Sequence, residues 1–255
     1  MFTAGTLFGR ADFDRVAADD HHFRDLALDI AARVQARRPI LVGITGGVAV
    51  GKSTTAGTLA RRLARTGLRV DVLSTDAFLL PNAELERRGL AMRKGFPETF
   101  AIDDLDACLL HLRAGREVEV PVYSHVTYDR VPAATVGITP GDVVIVEGVN
   151  VLQPPAVDRL DVGIYVDADE GDMRDWFVER FLSLCASADE GSFYAPLRGL
   201  SEDEQRALAA AAWDGINAVN LREHIRPSRR RATHVVHKAR DHSIRSCNVG
   251  GSHRA

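Results

Sequence analysis

The stretch that decides the fold is Gly46-Gly47-Val48-Ala49-Val50-Gly51-Lys52-Ser53-Thr54. It follows the apolar run Ile40-Leu41-Val42-Gly43-Ile44 and precedes a helical pattern, which is the order of a strand, a phosphate-binding loop and a helix. Glycines let backbone N–H groups converge on phosphate oxygens, and the helix N-terminus adds partial positive charge. We therefore expect all nine residues to bind a nucleoside triphosphate, with Lys52 reaching the β- and γ-phosphates and Ser53 binding Mg²⁺.

Length and composition predict one sizeable α/β domain, because 255 residues with 45% apolar content can bury a substantial core. The formal net charge of -3 argues against a nucleic-acid surface. The odd number of widely spaced cysteines indicates reduced thiols in a cytosolic protein rather than a disulfide framework or a zinc site: Cys108, Cys185 and Cys247. No secretory leader or membrane span is evident, so we expect a cytoplasmic protein without nucleic-acid or membrane partners.

Apolar periodicity predicts alternating strands and helices. A leading helix that ends near Pro39 is predicted by apolar residues at helical spacing, which are Phe23, Leu26, Ile30 and Val34. The order strand, helix, strand around the glycine-rich loop implies a parallel crossover. Further strands are expected at 69–73, 143–146, 162–166 and 233–236, and further helices at about 103–114, 170–184 and 202–225. We divide the chain into an N-terminal helical segment, 1–38, and one nucleotide-binding domain, 39–255.

The last predicted helix has a recognisable start and stop. Ser201 and Glu204 form an S-x-x-E capping box, and Pro227 disfavours continuation. The irregular stretch 186–199 reads as a surface loop that closes over a substrate, so that a lid is expected at about 177–200. The basic cluster 226–231 is either a solvated turn after the helix or a contact for an anionic ligand.

Two acidic residues stand at predicted strand ends, where ligands bind in an open parallel sheet. Asp76 ends Leu73-Ser74-Thr75-Asp76 and is a candidate to orient an incoming hydroxyl group, the alternative being a helix N-cap. Glu147 follows the apolar run 143–146 and is a candidate to hold Mg²⁺ or its water, the alternative being a structural turn carboxylate.

Phosphoryl transfer also needs a cation that offsets the migrating charge. Arg180 stands just before the predicted lid loop and is the candidate. The alternative is an exposed helix arginine paired with Glu179 or another nearby acid.

Taken together, the motifs resemble one family over most of the chain, the bacterial type I pantothenate kinases. The resemblance implies the three-layer α/β/α fold of P-loop NTPases, with a mainly parallel central sheet, helices on both faces and a lid of helix and loop. The glycine-rich loop alone would indicate only a superfamily, and the other segments are more specific. They are Thr75-Asp76-Ala77-Phe78-Leu79, Arg93-Lys94-Gly95-Phe96-Pro97-Glu98, Pro121-Val122-Tyr123-Ser124-His125, Tyr128-Asp129, Glu147-Gly148-Val149-Asn150-Val151-Leu152-Gln153, Ile164-Tyr165-Val166-Asp167-Ala168 and Asn220-Leu221-Arg222.

The resemblance implies ATP-dependent, Mg²⁺-dependent phosphorylation of pantothenate to 4'-phosphopantothenate, the entry to coenzyme A synthesis, in a cytoplasmic homodimer with coenzyme A as feedback inhibitor. By matching position, the implied catalytic residues are Asp76, Lys52 and Arg180. The implied pantothenate contacts are Asp76, Tyr123, His125, Tyr128, Phe177 and Asn220, and the implied adenine contacts are Lys238 and His242. Without the resemblance, the tyrosines would read as core or rim aromatics and His125 as a structural hydrogen-bonding residue.

Several departures from the family pattern fall at expected ligand contacts. Ala77 stands where the family usually has a glycine, at a position where we expect the backbone to need close approach or a positive φ. Gly57 replaces a basic residue that would meet ATP or coenzyme A phosphates, which puts feedback inhibition in question. Phe177 lacks the usual aromatic hydroxyl, and His224 replaces an asparagine. The 186–199 loop is also short and keeps only Ser192-Phe193-Tyr194 of an aromatic wall.

These departures leave two alternatives open. One is a related kinase that acts on uridine, glycerate, a sugar phosphate or a pantothenate-like metabolite. The other is a degenerate nucleotide-binding regulator, which an intact set of Lys52, Ser53, Asp76 and Glu147 disfavours.

Overall fold

The computed structural model describes residues 22–249. Its main sheet is built around β1 (Ile40–Gly46), a strand that is buried along its whole length. The strands are β1 (Ile40–Gly46), β2 (Val70–Ser74), β3 (Val118–Ser124), β4 (Asp129–Ile138), β5 (Val143–Glu147), β6 (Val162–Asp167), β7 (His234–Lys238) and β8 (Ile244–Val249). The α-helices are α1 (His22–Ala36), α2 (Lys52–Ala64), α3 (Asn82–Arg87), α4 (Ile102–Arg113), α5 (Glu170–Ala186), α6 (Glu202–Ala212) and α7 (Ala218–Asn220).

The main sheet of the described residues has six strands in the order β2-β5-β1-β6-β7-β8. All neighbours are parallel except β7 and β8, which are antiparallel. β1, β5 and β6 are continuous apolar runs rather than alternating ones, as expected of parallel strands covered on both faces. The predicted α/β class with a mainly parallel sheet is confirmed.

Two hydrophobic clusters cover the two faces of the sheet. Ile40, Val42 and Ile44 of β1 point into the cluster that contains α1, α2 and the Trp213 segment. Leu41 points to the opposite cluster, which contains α4 and the inner face of β3. Because successive strand residues point to opposite faces, one strand contributes to both cores. This arrangement confirms the predicted three layers.

The predicted elements lie within a few residues of the observed ones, but the β3–β4 hairpin, α3 and β8 were not predicted. No residue of β4 is fully buried, and the strand contains Pro132, so it lacks the apolar alternation that reveals a strand. The expected helix 202–225 is interrupted after α6 by π-helical turns at Trp213–Asn217 and Leu221–Ile225, with α7 between them. Of the expected N-terminal segment 1–38, residues 1–21 lie outside the described part of the chain.

The basic cluster forms a 3₁₀ turn, Arg226–Arg231, directly after the helical run. Arg226 donates to Glu170 (2.6 Å), Arg229 forms an ion pair with Asp167 (3.1 Å), and Arg231 donates to a backbone carbonyl (3.3 Å). The four arginines of this turn are exposed, as the solvated-turn interpretation expects, and three of them have partners within the protein. The three cysteines are free thiols. Within residues 22–249, no helix combines the length and the hydropathy that a membrane crossing requires.

The capping box at the start of α6 gives a testable contribution to stability. Ser201 Oγ accepts from the Glu204 N–H, while Glu204 accepts from the Ser201 N–H at 2.8 Å. Ser201→Ala is expected to lower the free energy of unfolding by about 1 kcal/mol and Tm by roughly 2–4 °C in thermal denaturation. Ser201→Asp, which can still cap the helix, should keep most of that stability. Equal losses in both variants would contradict a capping role.

Candidate active site

The glycine-rich loop has the backbone conformation that a phosphate cradle needs. Gly46, Ala49 and Gly51 have positive φ values of 153°, 63° and 86°, a backbone conformation that favours glycine and that is found in loops whose N–H groups bind anions. Gly51 is the N-cap residue of α2 and has no side-chain cap. The unpaired N–H groups of the first helical turn are therefore left for an anion.

Lys52 is held over this loop, as its side chain donates to the Gly47 carbonyl at 2.9 Å. Burial lowers the pKa of Lys52, while the charges of Glu147 and Asp76 oppose that shift and the charge of Arg180 adds to it. The ammonium group is therefore placed where it can reach phosphate oxygens, between the loop and the two carboxylates that the sequence singled out.

Ser53 and Glu147 come together at the same place. Ser53 Oγ donates to Glu147 Oε1 at 3.2 Å. Glu147 is 5% exposed, and burial is the main reason that its pKa is raised, with Asp76 adding to the shift and Lys52 opposing it. Hydroxyl and carboxylate oxygens are the kind of ligand that Mg²⁺ prefers. The pair therefore suits a cation that neutralises phosphate charge.

Asp76 lies on the 3₁₀ turn Thr75–Phe78, at the carboxyl end of β2. The N-cap of this turn is Ser74, whose Oγ accepts from the Asp76 N–H at 3.4 Å, so the interpretation of Asp76 as an N-cap is wrong. The Asp76 carboxylate is partly exposed and lies 3.9 Å from His125 Nε2. Ala77 is buried and does not have a positive φ, so of the two expectations for this position the positive φ is wrong.

A wall of aromatic side chains on the β3–β4 hairpin faces Asp76. The Tyr123 ring centroid lies 5.2 Å from that of His125 and 6.3 Å from that of Tyr128, both in edge-on geometry. Burial raises the pKa of both phenols, so they remain hydrogen-bond donors at neutral pH. Desolvation lowers the pKa of His125, although its side chain is about half exposed. The hairpin thus supplies neutral polar groups beside a carboxylate.

The predicted lid contacts this hairpin. Phe193 stacks on Tyr128, with 5.2 Å between ring centroids, and its N–H donates to the Val126 carbonyl at 2.8 Å. Aromatic contacts continue from Phe193 along the lid and into α5 and the core: Tyr194, Phe181, Phe177 and Trp213. Phe177 is therefore part of an apolar wall that connects the lid to the domain.

Asn220 is a buried polar residue held against the segment that contains Lys94 and Gly95. It is 4% exposed, and its Nδ2 donates to the Gly95 carbonyl at 2.8 Å. Its Oδ1 is buried without a hydrogen-bond partner among the described residues. A buried amide oxygen without a donor is unfavourable, so this atom is a candidate to accept from a substrate. His224 packs edge-on against Phe96 at 5.7 Å, on the same side of the site.

Arg180 is exposed on α5, and within residues 22–249 no carboxylate lies within ion-pair distance of it. The alternative pairing with Glu179 is therefore not observed. Its charge contributes to the lowered pKa of Lys52 and of His125 and opposes the raised pKa of Tyr128, so Arg180 lies close enough to act electrostatically on the candidate site.

Lys238 and His242 lie on the other flank of the glycine-rich loop, because β7 and β5 are on opposite sides of β1. Lys238 is buried, and its side chain donates to the Val50 carbonyl at 3.2 Å. His242 stacks on Trp176 with 4.2 Å between ring centroids and 28° between planes. Lys238 thus contacts the loop directly, whereas the described contact of His242 is its stack on Trp176 of α5.

Lys94 has no predicted role, although it lies in the segment 93–98 that carries part of the family resemblance. Its side chain donates to Asn82 Oδ1 (2.5 Å) and to the Tyr128 carbonyl, and lies 4.8 Å from the Tyr128 ring centroid. Burial lowers its pKa, and Asp129 and Asp76 oppose that shift. Lys94 and Tyr128 meet only when the β3–β4 hairpin folds against the Lys94 segment, and no local sequence pattern indicates this contact.

The fold and the phosphate loop, with a carboxylate at the end of each of two strands beside it, define a P-loop kinase. The phosphoribulokinase/uridine kinase family model matches residues 41–175. Pantothenate kinase from Parvibaculum lavamentivorans is 46% identical over 233 residues, which cover 85% of this chain and 72% of that protein. Pantothenate kinase from a Nocardioides strain is 47% identical over 225 residues, covering 82% and 68%. The chain belongs to the phosphoribulokinase/uridine kinase family and, within it, to the pantothenate kinase group.

A solved structure outside that group has the same fold. D-glycerate 3-kinase from Cryptococcus neoformans superposes with a TM-score of 0.65 at 16% identity, over 91% of this chain and 99% of that one. At this identity the likeness concerns the fold alone.

The buried carboxylate predicts a pH-dependent metal requirement. Because burial raises the pKa of Glu147, a proton competes with Mg²⁺ at a higher pH than at an ordinary glutamate. The Mg²⁺ concentration for half-maximal activity should therefore rise as the pH falls from about 7.5 to about 5.5. Steady-state titration at fixed nucleotide checks this, with Glu147→Gln as the control for protonation of the nucleotide itself. The same pH dependence in wild type and Glu147→Gln would contradict the assignment.

Proposed function

We propose that this protein transfers the γ-phosphoryl group of ATP, with Mg²⁺, to the terminal hydroxyl of pantothenate, forming 4'-phosphopantothenate. The observation that carries the proposal is the position of Asp76. Its charge acts both on Lys52 in the phosphate loop and on Tyr123 and Tyr128 in the aromatic wall. A carboxylate between a phosphate site and an acceptor site is the arrangement that phosphoryl transfer to an alcohol requires.

In the proposed reaction, the loop N–H groups and Lys52 bind the triphosphate. Asp76 accepts a hydrogen bond from the acceptor hydroxyl, orients its oxygen toward the γ-phosphorus and takes the proton as the new P–O bond forms. The bond from the γ-phosphorus to the bridging oxygen breaks, and ADP leaves. Arg180 offsets charge on the transferring group. Mg²⁺ held by Ser53 and Glu147 would neutralise charge on the phosphate oxygens.

The acceptor assignment depends on the polar groups around the aromatic wall. Pantothenate carries hydroxyl, amide and carboxylate groups on an aliphatic chain. The phenols of Tyr123 and Tyr128 can donate to its oxygens, and the unpartnered Oδ1 of Asn220 can accept from a hydroxyl or an amide N–H. Phe177 and Phe193 would cover the aliphatic part. The relatives named pantothenate kinase support this choice over other alcohols.

A panel of acceptors tests the proposal. Enzyme-linked ADP release is measured with pantothenate, uridine and D-glycerate, and the phosphorylated product is identified by mass spectrometry. Pantothenate is expected to give saturable, Mg²⁺-dependent turnover with kcat/KM at least about 100-fold above the other two alcohols, because buried polar groups discriminate strongly. Faster turnover of another alcohol would reject pantothenate, and ATP binding without turnover of any acceptor would favour the nucleotide-binding regulator.

The role of Asp76 is tested separately. Asp76→Asn keeps the size of the side chain but cannot accept the proton, so kcat should fall about 10²- to 10⁴-fold. The affinity for ATP, measured by equilibrium binding, should change by less than about threefold, because the phosphate loop is intact. Asp25→Asn, on an exposed turn of α1, serves as a charge-matched control. Near-normal kcat in Asp76→Asn would refute this mechanism.

We also propose that the nucleotide is ATP rather than another triphosphate, with Lys238 and His242 on the side of the adenine. As the family resemblance implies, we further propose that the protein is a cytoplasmic homodimer. Coenzyme A is included in the acceptor panel as a candidate inhibitor. Because Gly57 supplies no side-chain cation on the second turn of α2, we expect weak inhibition.

A further inference from the structure

Buried hydroxyl groups connect the three turns that carry the proposed reaction groups. The phosphate loop follows β1, the Glu147 turn follows β5, and the Asp76 turn follows β2, and these strands are neighbours in the sheet. Thr45, at the end of β1, donates through Oγ1 to the Val149 carbonyl at 2.9 Å. Thr75, just after β2, donates through Oγ1 to Asn150 Oδ1 at 2.8 Å.

The Thr75–Asn150 contact depends on close packing between the two turns. Ser74 and Glu147 are directly opposite in the register of β2 and β5, so Thr75 meets Gly148. A Cβ on Gly148 would overlap the Thr75 hydroxyl, and this glycine therefore leaves the space through which Thr75 reaches Asn150. Thr75 and Asn150 are 0% and 2% exposed. Their hydrogen bond has no competition from water.

Asn150 has a second feature that sets it apart from a core residue. Its Nδ2 is buried without a hydrogen-bond partner among the residues 22–249. An apolar side chain would avoid this unfavourable donor, because a buried unpaired amide destabilises the fold. The amide is thus an unfavourable choice for packing alone, while its Oδ1 positions the residue that precedes Asp76.

We propose that Thr75 and Asn150 form a positioning pair that fixes the Asp76 turn relative to Glu147, and so aligns the acceptor hydroxyl with the γ-phosphate. The inference rests on the proposed role of Asp76. The pair acts through the backbone of the turn and does not touch substrate. Its loss should therefore reduce kcat, because a small misplacement of a reacting group slows the chemical step, while binding of ATP to the phosphate loop is unaffected.

Thr75→Val removes the hydroxyl with little change of shape, and Thr75→Ser keeps the hydroxyl. Thr75→Val should lower kcat by about 10- to 100-fold with less than about a threefold change in the KM for ATP, and Thr75→Ser should restore most of kcat. Thr233→Val is the matched control. Its hydroxyl also donates a hydrogen bond within the sheet, to the Gly163 carbonyl (3.0 Å), but it lies immediately before β7, on the other side of β1 from β2. Tm is recorded for every variant.

A double-mutant cycle separates positioning from general loss of packing. If the two residues act as a pair, Thr75→Val/Asn150→Ala should reduce kcat no further than the more damaging single variant. Additive losses in kcat, normal kcat in Thr75→Val, or equal losses in Thr75→Ser and Thr75→Val would overturn the proposal. All rates are measured with the acceptor that wild type phosphorylates fastest, or as ATP hydrolysis by water if wild type phosphorylates none of the alcohols. A wrong acceptor assignment therefore shows up in wild type and leaves the cycle interpretable.

Discussion

The buried charge of Glu147 is the constraint on which the rest of the site depends. A carboxylate removed from water at the end of β5 is unfavourable unless hydrogen bonds and opposite charge compensate it. Here Ser53 and Ser74 supply hydrogen bonds, and Lys52 supplies the charge. These partners come from α2 and the end of β2, so satisfying one carboxylate draws the phosphate loop and the Asp76 turn together. A metal bound with the phosphates would complete the same compensation.

The sequence predicted most of the sheet and most of the nucleotide side of the site, and the reason is local. The residues from β1 into α2 are contiguous, so their spacing determines the loop without knowledge of tertiary contacts. Asp76 and Glu147 were also found, because parallel strands bring their carboxyl ends to one edge. Apolar periodicity located β5 and β6 because both faces of these strands are covered.

The acceptor side was less predictable, because it depends on contacts between distant segments. β4 has no fully buried residue and its pairing with β3 shifts register, so the sequence of the hairpin shows no strand pattern. Lys94 meets Tyr128 only after that hairpin folds, and Thr75 meets Asn150 only in the register of β2 and β5. The positive φ expected at Ala77 was wrong for a related reason: its turn keeps an ordinary backbone conformation, with Ser74 as the N-cap. The resemblance named the tyrosines and Asn220, but it gave no geometry for them.

The two π-helical turns around α7 have a consequence for how this segment can vary in evolution. Each π turn contains more residues than a turn of α-helix. It therefore changes the direction in which all the following side chains point around the helix axis. Trp213, Leu221 and Ile225 stay in the core with this winding, while Asn220 reaches Gly95. Removing one residue would rotate the following side chains by about 100° around the axis. Homologous chains should therefore exchange residue types here more readily than they change its length.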